Sequence, residues 1–167
     1  MRIGVIVGNP RPLSRTYALA IRLAREIHGD ADLRVVDLVD HKDRLFLPTD
    51  EDLDSLVIEL ARQDVLVVAS PTYKATYTGL LKAFLDRYPH RGLAGVFAVP
   101  VMTIASEAHS MAADAHLRPL LVELGAIVPT ESLAFPTPHQ ERIDQVVSDW
   151  LDRNDAALEV IRRTVRT

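Results

Sequence analysis

Residues 8–16 read Gly-Asn-Pro-Arg-Pro-Leu-Ser-Arg-Thr. Ser14 and Thr16 carry hydroxyls where a helix is expected to begin, and Arg11 and Arg15 add positive charge. Free backbone N–H groups and the helix dipole favour an anion at such a point. Gly8 would permit a tight turn. Every element suits a terminal phosphate, and a capped helix with two surface arginines is the other reading. The loop is not a P-loop, because no Gly-Lys-Ser/Thr follows, and G-x-G-x-x-G is absent.

Two further segments carry chemistry-bearing residues. Residues 70–86, SPTYKATYTGLLKAFLD, place Tyr73, Lys74 and Tyr77 in or beside a proline-containing loop. A flat aromatic beside backbone amides and a lysine can line a planar ring with polar edges. The same tyrosines would also serve to cover the core or meet another subunit. Residues 102–109, MTIASEAH, stand where a third wall would be. His109 is read either as a base or as a helix-surface histidine.

Other chemistries lack their signatures. The six histidines form no H-E-x-x-H or H-x-H spacing, and His109 and His116 alone are too few to hold a metal. No G-x-S-x-G elbow exists. Asp50, Glu51, Asp52 and Asp54 read as the acidic first turn of a helix. Arg162, Arg163 and Arg166 read as a solvated face.

The elements that must position these loops alternate in type. Residues 2–7 form a short apolar, β-branched run, as in a strand buried on both faces. Leu19, Leu23 and Ile27 then recur at helical spacing, with Gly29 as the stop. Residues 33–36 give a second strand. Pro48-Thr49-Asp50 opens a helix bearing Leu53, Leu56, Val57 and Leu60. Residues 65–69 are a third strand, residues 77–88 a helix, and residues 96–102 a fourth strand despite Pro100. A helix capped by Ser106 is expected to reach Leu124, kinked or broken by Pro119. Residues 126–128 and 132–135 compete for the fifth strand. Residues 140–165 read as a long helix with a candidate break near Asn154-Asp155. Five strands separated by helices imply parallel pairing through right-handed crossovers and a three-layer α/β sandwich. The flavodoxin-like order 2-1-3-4-5 is the favoured one, with ligands at the carboxyl ends of the strands.

The length, 167 residues, suits one domain spanning 1–167. Hydrophobic residues make 48% and charged residues 25%, which excludes wholesale disorder. Nineteen basic against 23 acidic residues give a net charge of −4, unlike a dedicated nucleic-acid binder. The absence of cysteine removes disulfides and thiolate chemistry. No apolar stretch approaches the ~20 residues of a membrane span, and the N-terminus lacks a signal-peptide pattern, so a cytoplasmic protein is expected.

The first two loops together resemble the NADPH-dependent FMN reductase family of flavodoxin-like proteins. The family's Gly-Ser-x-Arg-x-x-Ser-x-Thr pattern matches Gly8, Arg11, Ser14 and Thr16, with Asn9 replacing the usual serine. Its Ser-Pro-x-Tyr-Lys-x-x-Tyr-x-Gly-x-Leu-Lys pattern is met by Ser70, Pro71, Tyr73, Lys74, Tyr77, Gly79, Leu81 and Lys82. Together with Leu117-Arg118-Pro119-Leu120, the likeness is strongest to reductases serving sulfonate-degrading two-component monooxygenases. It covers roughly residues 1–130.

The resemblance implies that Asn9, Arg11, Ser14, Arg15 and Thr16 form the FMN phosphate loop. Pro71, Thr72, Tyr73 and Lys74 would border the isoalloxazine ring. Thr103, Ile104 and Ala105 would meet its far edge through backbone groups. The family commonly has Gly-Gly where Ile104 and Ala105 stand, so side chains there are expected to narrow the approach to the ring or to change its electronics. Some sulfonate-linked members carry a tyrosine where this chain has Ala113-Asp114-Ala115-His116. The implied reaction is hydride transfer from NADPH or NADH to the flavin N5, with Lys74 a candidate for stabilising charge on the reduced ring and no nucleophile required. The alternatives are an FMN-bound quinone, azo or nitro reductase, and a flavodoxin-like electron carrier without enzymatic activity. The family also implies a homodimer or homotetramer and, for the sulfonate-linked branch, a monooxygenase partner. Leu80, Leu81, Phe84 and Leu85 give either an assembly face or ordinary packing on the sheet.

Overall fold

The computed structural model of the chain describes residues 1–29 and 33–165, the side chain of Gln140 excepted. Arg166 lies outside them. Arg162 and Arg163 pair with Glu159 along the last helix.

Five strands form one parallel sheet: β1 (Ile3–Val7), β2 (Leu33–Asp37), β3 (Val65–Pro71), β4 (Phe97–Ile104) and β5 (Leu133–Pro136). Their order is β2-β1-β3-β4-β5, with every pairing parallel. All residues of β1, β3 and β4 are buried, which is why they read as unbroken apolar runs rather than alternating ones. Side chains of successive residues point to opposite faces and build two cores. Ile6, Leu66, Val68 and Met102 pack with the helices α2 (Glu51–Ala61) and α3 (Gly79–Leu85). Val5, Val7, Val67 and Val99 pack with α1 (Arg15–His28) and α5 (Ile143–Val165). A three-layer flavodoxin-like sandwich follows. No helix among the described residues is long and apolar enough to cross a membrane.

Ser14 caps α1 through the Tyr17 N–H, and Gly29 ends it at φ +75°. Asp50 caps α2 through the Leu53 N–H. Helix α3 starts two residues later than its apolar pattern suggests, because Thr78 is its cap.

Pro100 sits inside β4 at no cost to the ladder. The Ala98 N–H donates to Ile127 O on the β5 side, so Pro100, two residues on, faces that side as well. There β5 has not yet begun, since its register starts at Val101 opposite Leu133. Both candidate segments for the fifth strand are therefore used. Ile127 makes one bridge to Phe97, residues 128–132 swing out, and β5 follows.

The segment expected to be one helix from Ser106 is three pieces. A 3₁₀ turn (Glu107–His109), a π-helical turn (Ala113–Leu117) and α4 (Arg118–Glu123) follow one another, and Ser106 makes no side-chain cap. Pro119 lies in the first turn of α4, where a missing N–H is tolerated. The π turn just before it widens the backbone instead of kinking it. Helix α5 does not break near Asn154. That side chain is buried, accepting the Glu131 N–H at 2.7 Å and donating to Trp150 O at 2.8 Å.

Leu81, Phe84 and Leu85 are fully buried against the sheet, and only Leu80 of that face is partly exposed. Ordinary packing on the sheet accounts for three of the four.

Candidate functional site

The carboxyl ends of β1, β3 and β4 surround an open cleft of about 400 Å³. It is lined by Asn9, Arg11, Ser14, Arg15, Thr16, Pro71, Tyr73, Thr103 and neighbouring residues. This is the position that the strand order dictates for a ligand. A second cleft of about 270 Å³ lies between Glu107, the 137–142 segment and α5. It mixes Arg142 and Arg153 with Glu107 and Asp149 and contains no motif residue.

One wall is the turn into α1. The buried Asn9 donates to Thr16 Oγ1 at 3.0 Å and accepts the Arg11 N–H at 2.9 Å. That pairing folds residues 9–11 back toward the helix. The Thr16 hydroxyl also bonds the Thr103 hydroxyl at 2.8 Å, and the residue is only 1% exposed. Its hydroxyl is committed internally, so what Thr16 offers an anion is its backbone N–H. The first intrahelical bond is Ala18 N–H to Ser14 O, which leaves the N–H groups of Arg15 and Thr16 ahead of it. The first turn of α1 holds no acidic residue, whereas that of α2 holds Glu51, Asp52 and Asp54. The positive end of the α2 dipole is neutralised by its own chain, and that of α1 is left for something else. The exposed Arg11 guanidinium makes no hydrogen bond or ion pair among the described residues. Arg15 donates to Thr137 O at 2.9 Å and so ties the end of β5 to this wall.

The second wall is the 71–78 loop. Ser70, fully buried, accepts the Thr78 N–H at 3.0 Å and donates to Pro71 O at 2.9 Å, joining the two ends of the loop. Thr78 Oγ1 donates to Gly8 O at 2.6 Å, which binds this loop to the first. Gly8 does not have a positive φ. Glycine is required there because a Cβ would stand 2.4 Å from Leu81 Cβ. Between these anchors, Tyr73 and Thr76 exchange N–H···O bonds of 2.8 and 3.2 Å around Lys74 and Ala75. Both central residues are left-handed, at φ +52° and +67°. Neither is glycine, and such backbone costs about 1–2 kcal/mol per residue. Such strain persists only where surrounding bonds hold it, here the Tyr73–Thr76 pair and the Ser70 anchors at the ends of the loop. Tyr73 is exposed and lines the cleft, and Lys74 is exposed at the tip of the turn, outside the cleft lining.

The third wall is the end of β4. The Thr72 N–H donates to Thr103 O at 2.8 Å, so the second and third walls are bonded together. The Thr72 hydroxyl is buried without a partner among the described residues. Ile104 is 1% exposed and is not among the residues that line the cleft. The expected narrowing by that side chain does not arise, and Ala105 alone is exposed. The His109 Nδ1 is buried and also unpartnered, on the 3₁₀ turn beyond.

The donor set and the shape fit a phosphorylated planar ligand. An unneutralised helix start with Arg11 suits the phosphate, and an aromatic turn with an unsatisfied hydroxyl behind it suits a polar ring edge. Ser70, a residue of the matched motif, serves the site as an anchor of the loop, and Thr78, Asp37 and Thr137 join it although the residue types in the loops did not point to them. Thr78 was detectable as a threonine just before a helical apolar pattern. Asp37 and Thr137 come from the ends of other strands and leave no local signal. No group of three or more histidine or carboxylate side chains among the described residues could hold a metal ion.

Comparison with known proteins points the same way. A family model described as NADPH-dependent FMN reductase matches residues 1–140. FMN reductase (NADPH) of Escherichia coli (strain K12) is 36% identical over 131 residues, 75% of this chain and 68% of that one. The NADH-dependent FMN reductase SfnF of Pseudomonas putida is 34% identical over 128 residues, 72% and 69% of the two chains. Among solved structures, the apo form of the NADH:FMN oxidoreductase EMOB superposes with a TM-score of 0.79 at 33% identity. It covers 98% of this chain and 89% of its own.

Proposed function

The chain belongs to the NADPH-dependent FMN reductase family, and we propose that it transfers a hydride from NADPH or NADH to FMN held in the cleft at the ends of β1, β3 and β4. The observation carrying this reading is the α1 N-terminus, whose first turn has no acidic residue and opens into that cleft. When bound, FMN supplies the ring nitrogen that accepts the hydride.

The protein's part is binding and orientation. Arg11, Ser14, Arg15 and the N–H groups of Arg15 and Thr16 hold the phosphate, while Asn9 and Thr16 shape the turn beneath it. Pro71, Thr72, Tyr73 and Lys74 border the ring. The backbone of Thr103, Ile104 and Ala105 meets its far edge. The strained 73–76 turn and the Thr72–Thr103 bond keep these groups in place before the ligand arrives, which reduces the ordering cost of binding. Lys74 has to reach back over the ring from the tip of its turn to balance charge there. Flavin reduction by Lys74→Ala equal to wild type removes that role. The same reading places the protein as a homo-oligomer that releases reduced FMN to a flavin-dependent monooxygenase.

Mixing protein, FMN and NADPH, and then NADH, without air tests the activity. Loss of the oxidised flavin's visible absorbance is expected. Unchanged absorbance with both nicotinamides favours an electron carrier. FMN that stays bound through gel filtration, with turnover only when a quinone, azo or nitro compound is added, favours the bound-flavin reductase instead.

A further inference from the structure

Asp37 ends β2 in register with Val7, next to the start of the 8–16 loop. It is only 9% exposed, a costly position for a carboxylate. One of its oxygens accepts the Leu13 N–H at 3.2 Å. The other is buried without a partner among the described residues. Burial pushes its carboxyl up from the ordinary aspartate value and Asp40 adds to the rise, while the Leu13 N–H and, more weakly, the Val39 N–H act against both.

Leu13 explains the placement. It stands at φ +48°, a conformation leucine rarely adopts, with its side chain 77% exposed. An exposed leucine gains no packing from that conformation. The hydrogen bond to Asp37 is the contact that holds it. Residues 11–14 lie between two fixed points, the Arg11 N–H on Asn9 and the Ser14 cap of α1. The Asp37 bond is the third and determines which way the turn faces.

We propose that Asp37 is a positioning residue for the FMN phosphate: by anchoring the Leu13 N–H it holds the 11–14 turn with Arg11 and Ser14 facing the start of α1, and so sets how much more tightly FMN binds than riboflavin. The inference rests on the FMN reading above.

Riboflavin lacks the phosphate and shares the ring, so the ratio of the two affinities isolates the effect. Both ligands are titrated by flavin fluorescence into wild type, Asp37→Ala, Asp37→Leu and Asp37→Asn. Asp37→Leu keeps the branching of the side chain, replaces the buried oxygens by methyl groups and removes the acceptor, so it tests the bond even if the cavity left by Asp37→Ala prevents folding. Wild type is expected to prefer FMN. Asp37→Ala and Asp37→Leu are expected to lose roughly tenfold of that preference, with riboflavin affinity kept within about twofold. Asp37→Asn, which retains a carbonyl acceptor, is expected to keep the preference. A wild-type preference that survives unchanged in Asp37→Leu and in any folded Asp37→Ala overturns this inference alone, as does equal weakening of both flavins. Wild type that binds neither flavin, or both alike, overturns the functional reading and this inference together.

Discussion

Single atoms decide how close the first two walls of the cleft come. Gly8 is the contact point between the end of β1 and α3, with room for hydrogen and not for a methyl group. Gly79, at the first position of α3, has nothing within 4 Å of its missing Cβ. The two glycines of the motif regions therefore have opposite expectations. Gly8→Ala forces α3 off β1 and strains the Thr78–Gly8 bond, at about 1–3 kcal/mol. Gly79→Ala is neutral or stabilising by up to ~1 kcal/mol. Urea unfolding of the pair measures both, and equal effects contradict the close approach. At this scale the loop chemistry was visible from residue types, but its division of labour was not. Thr16 matched the motif as a phosphate hydroxyl, yet its Oγ1 is used by Asn9 and Thr103. Motif spacing says that a hydroxyl belongs there and cannot say which neighbour takes it.

Among the elements, the connection from α4 to β5 is the least regular and the most dependent on one side chain. Residues 128–132 leave the sheet beside Pro100, so their carbonyls need partners elsewhere. Arg118 supplies them, donating to Val128 O at 3.0 Å and Thr130 O at 2.6 Å. Asp114 holds the guanidinium at 2.8 Å and accepts from Ser132 at 2.6 Å. Burial alone would raise the Asp114 carboxyl, but those two donors hold it below the ordinary aspartate value. The clamp thus joins the π turn, α4 and the approach to β5. Arg118→Met keeps the stem and removes the donors, and is expected to cost about 1–3 kcal/mol. Hydrogen exchange should quicken at residues 128–133 and stay unchanged in β1 and β3. Uniform quickening would show that Arg118 serves overall stability instead. The strands of this region were legible because an apolar run is a local pattern. The split helix was not, because a π turn and a proline in a first turn depend on what packs against them.

For the whole molecule, the order 2-1-3-4-5 brings residues far apart in sequence to one sheet edge. The ends of β1, β3 and β4 form the walls, β2 contributes Asp37 from behind, and the segment after β5 contributes Thr137. Alternating strand and helix patterns made this fold readable from sequence, since parallel neighbours need crossovers and buried strands are apolar throughout. The walls of the site were readable as loops after particular strands. Their cross-links were not. The Thr16–Thr103, Thr72–Thr103, Thr78–Gly8 and Asp37–Leu13 bonds each join segments 24 or more residues apart. No periodicity reports such pairings. Together they hold one cleft with a cationic end and an aromatic end, and the functional account depends on a ligand lying across both.

A crystal structure of the protein with FMN tests that most directly. The phosphate is predicted at the start of α1, within hydrogen-bond reach of Arg11, Ser14 and the Thr16 N–H, with the ring system along residues 71–74. Density for FMN in the cleft beside α5, or in this cleft with the phosphate away from α1, would contradict the account.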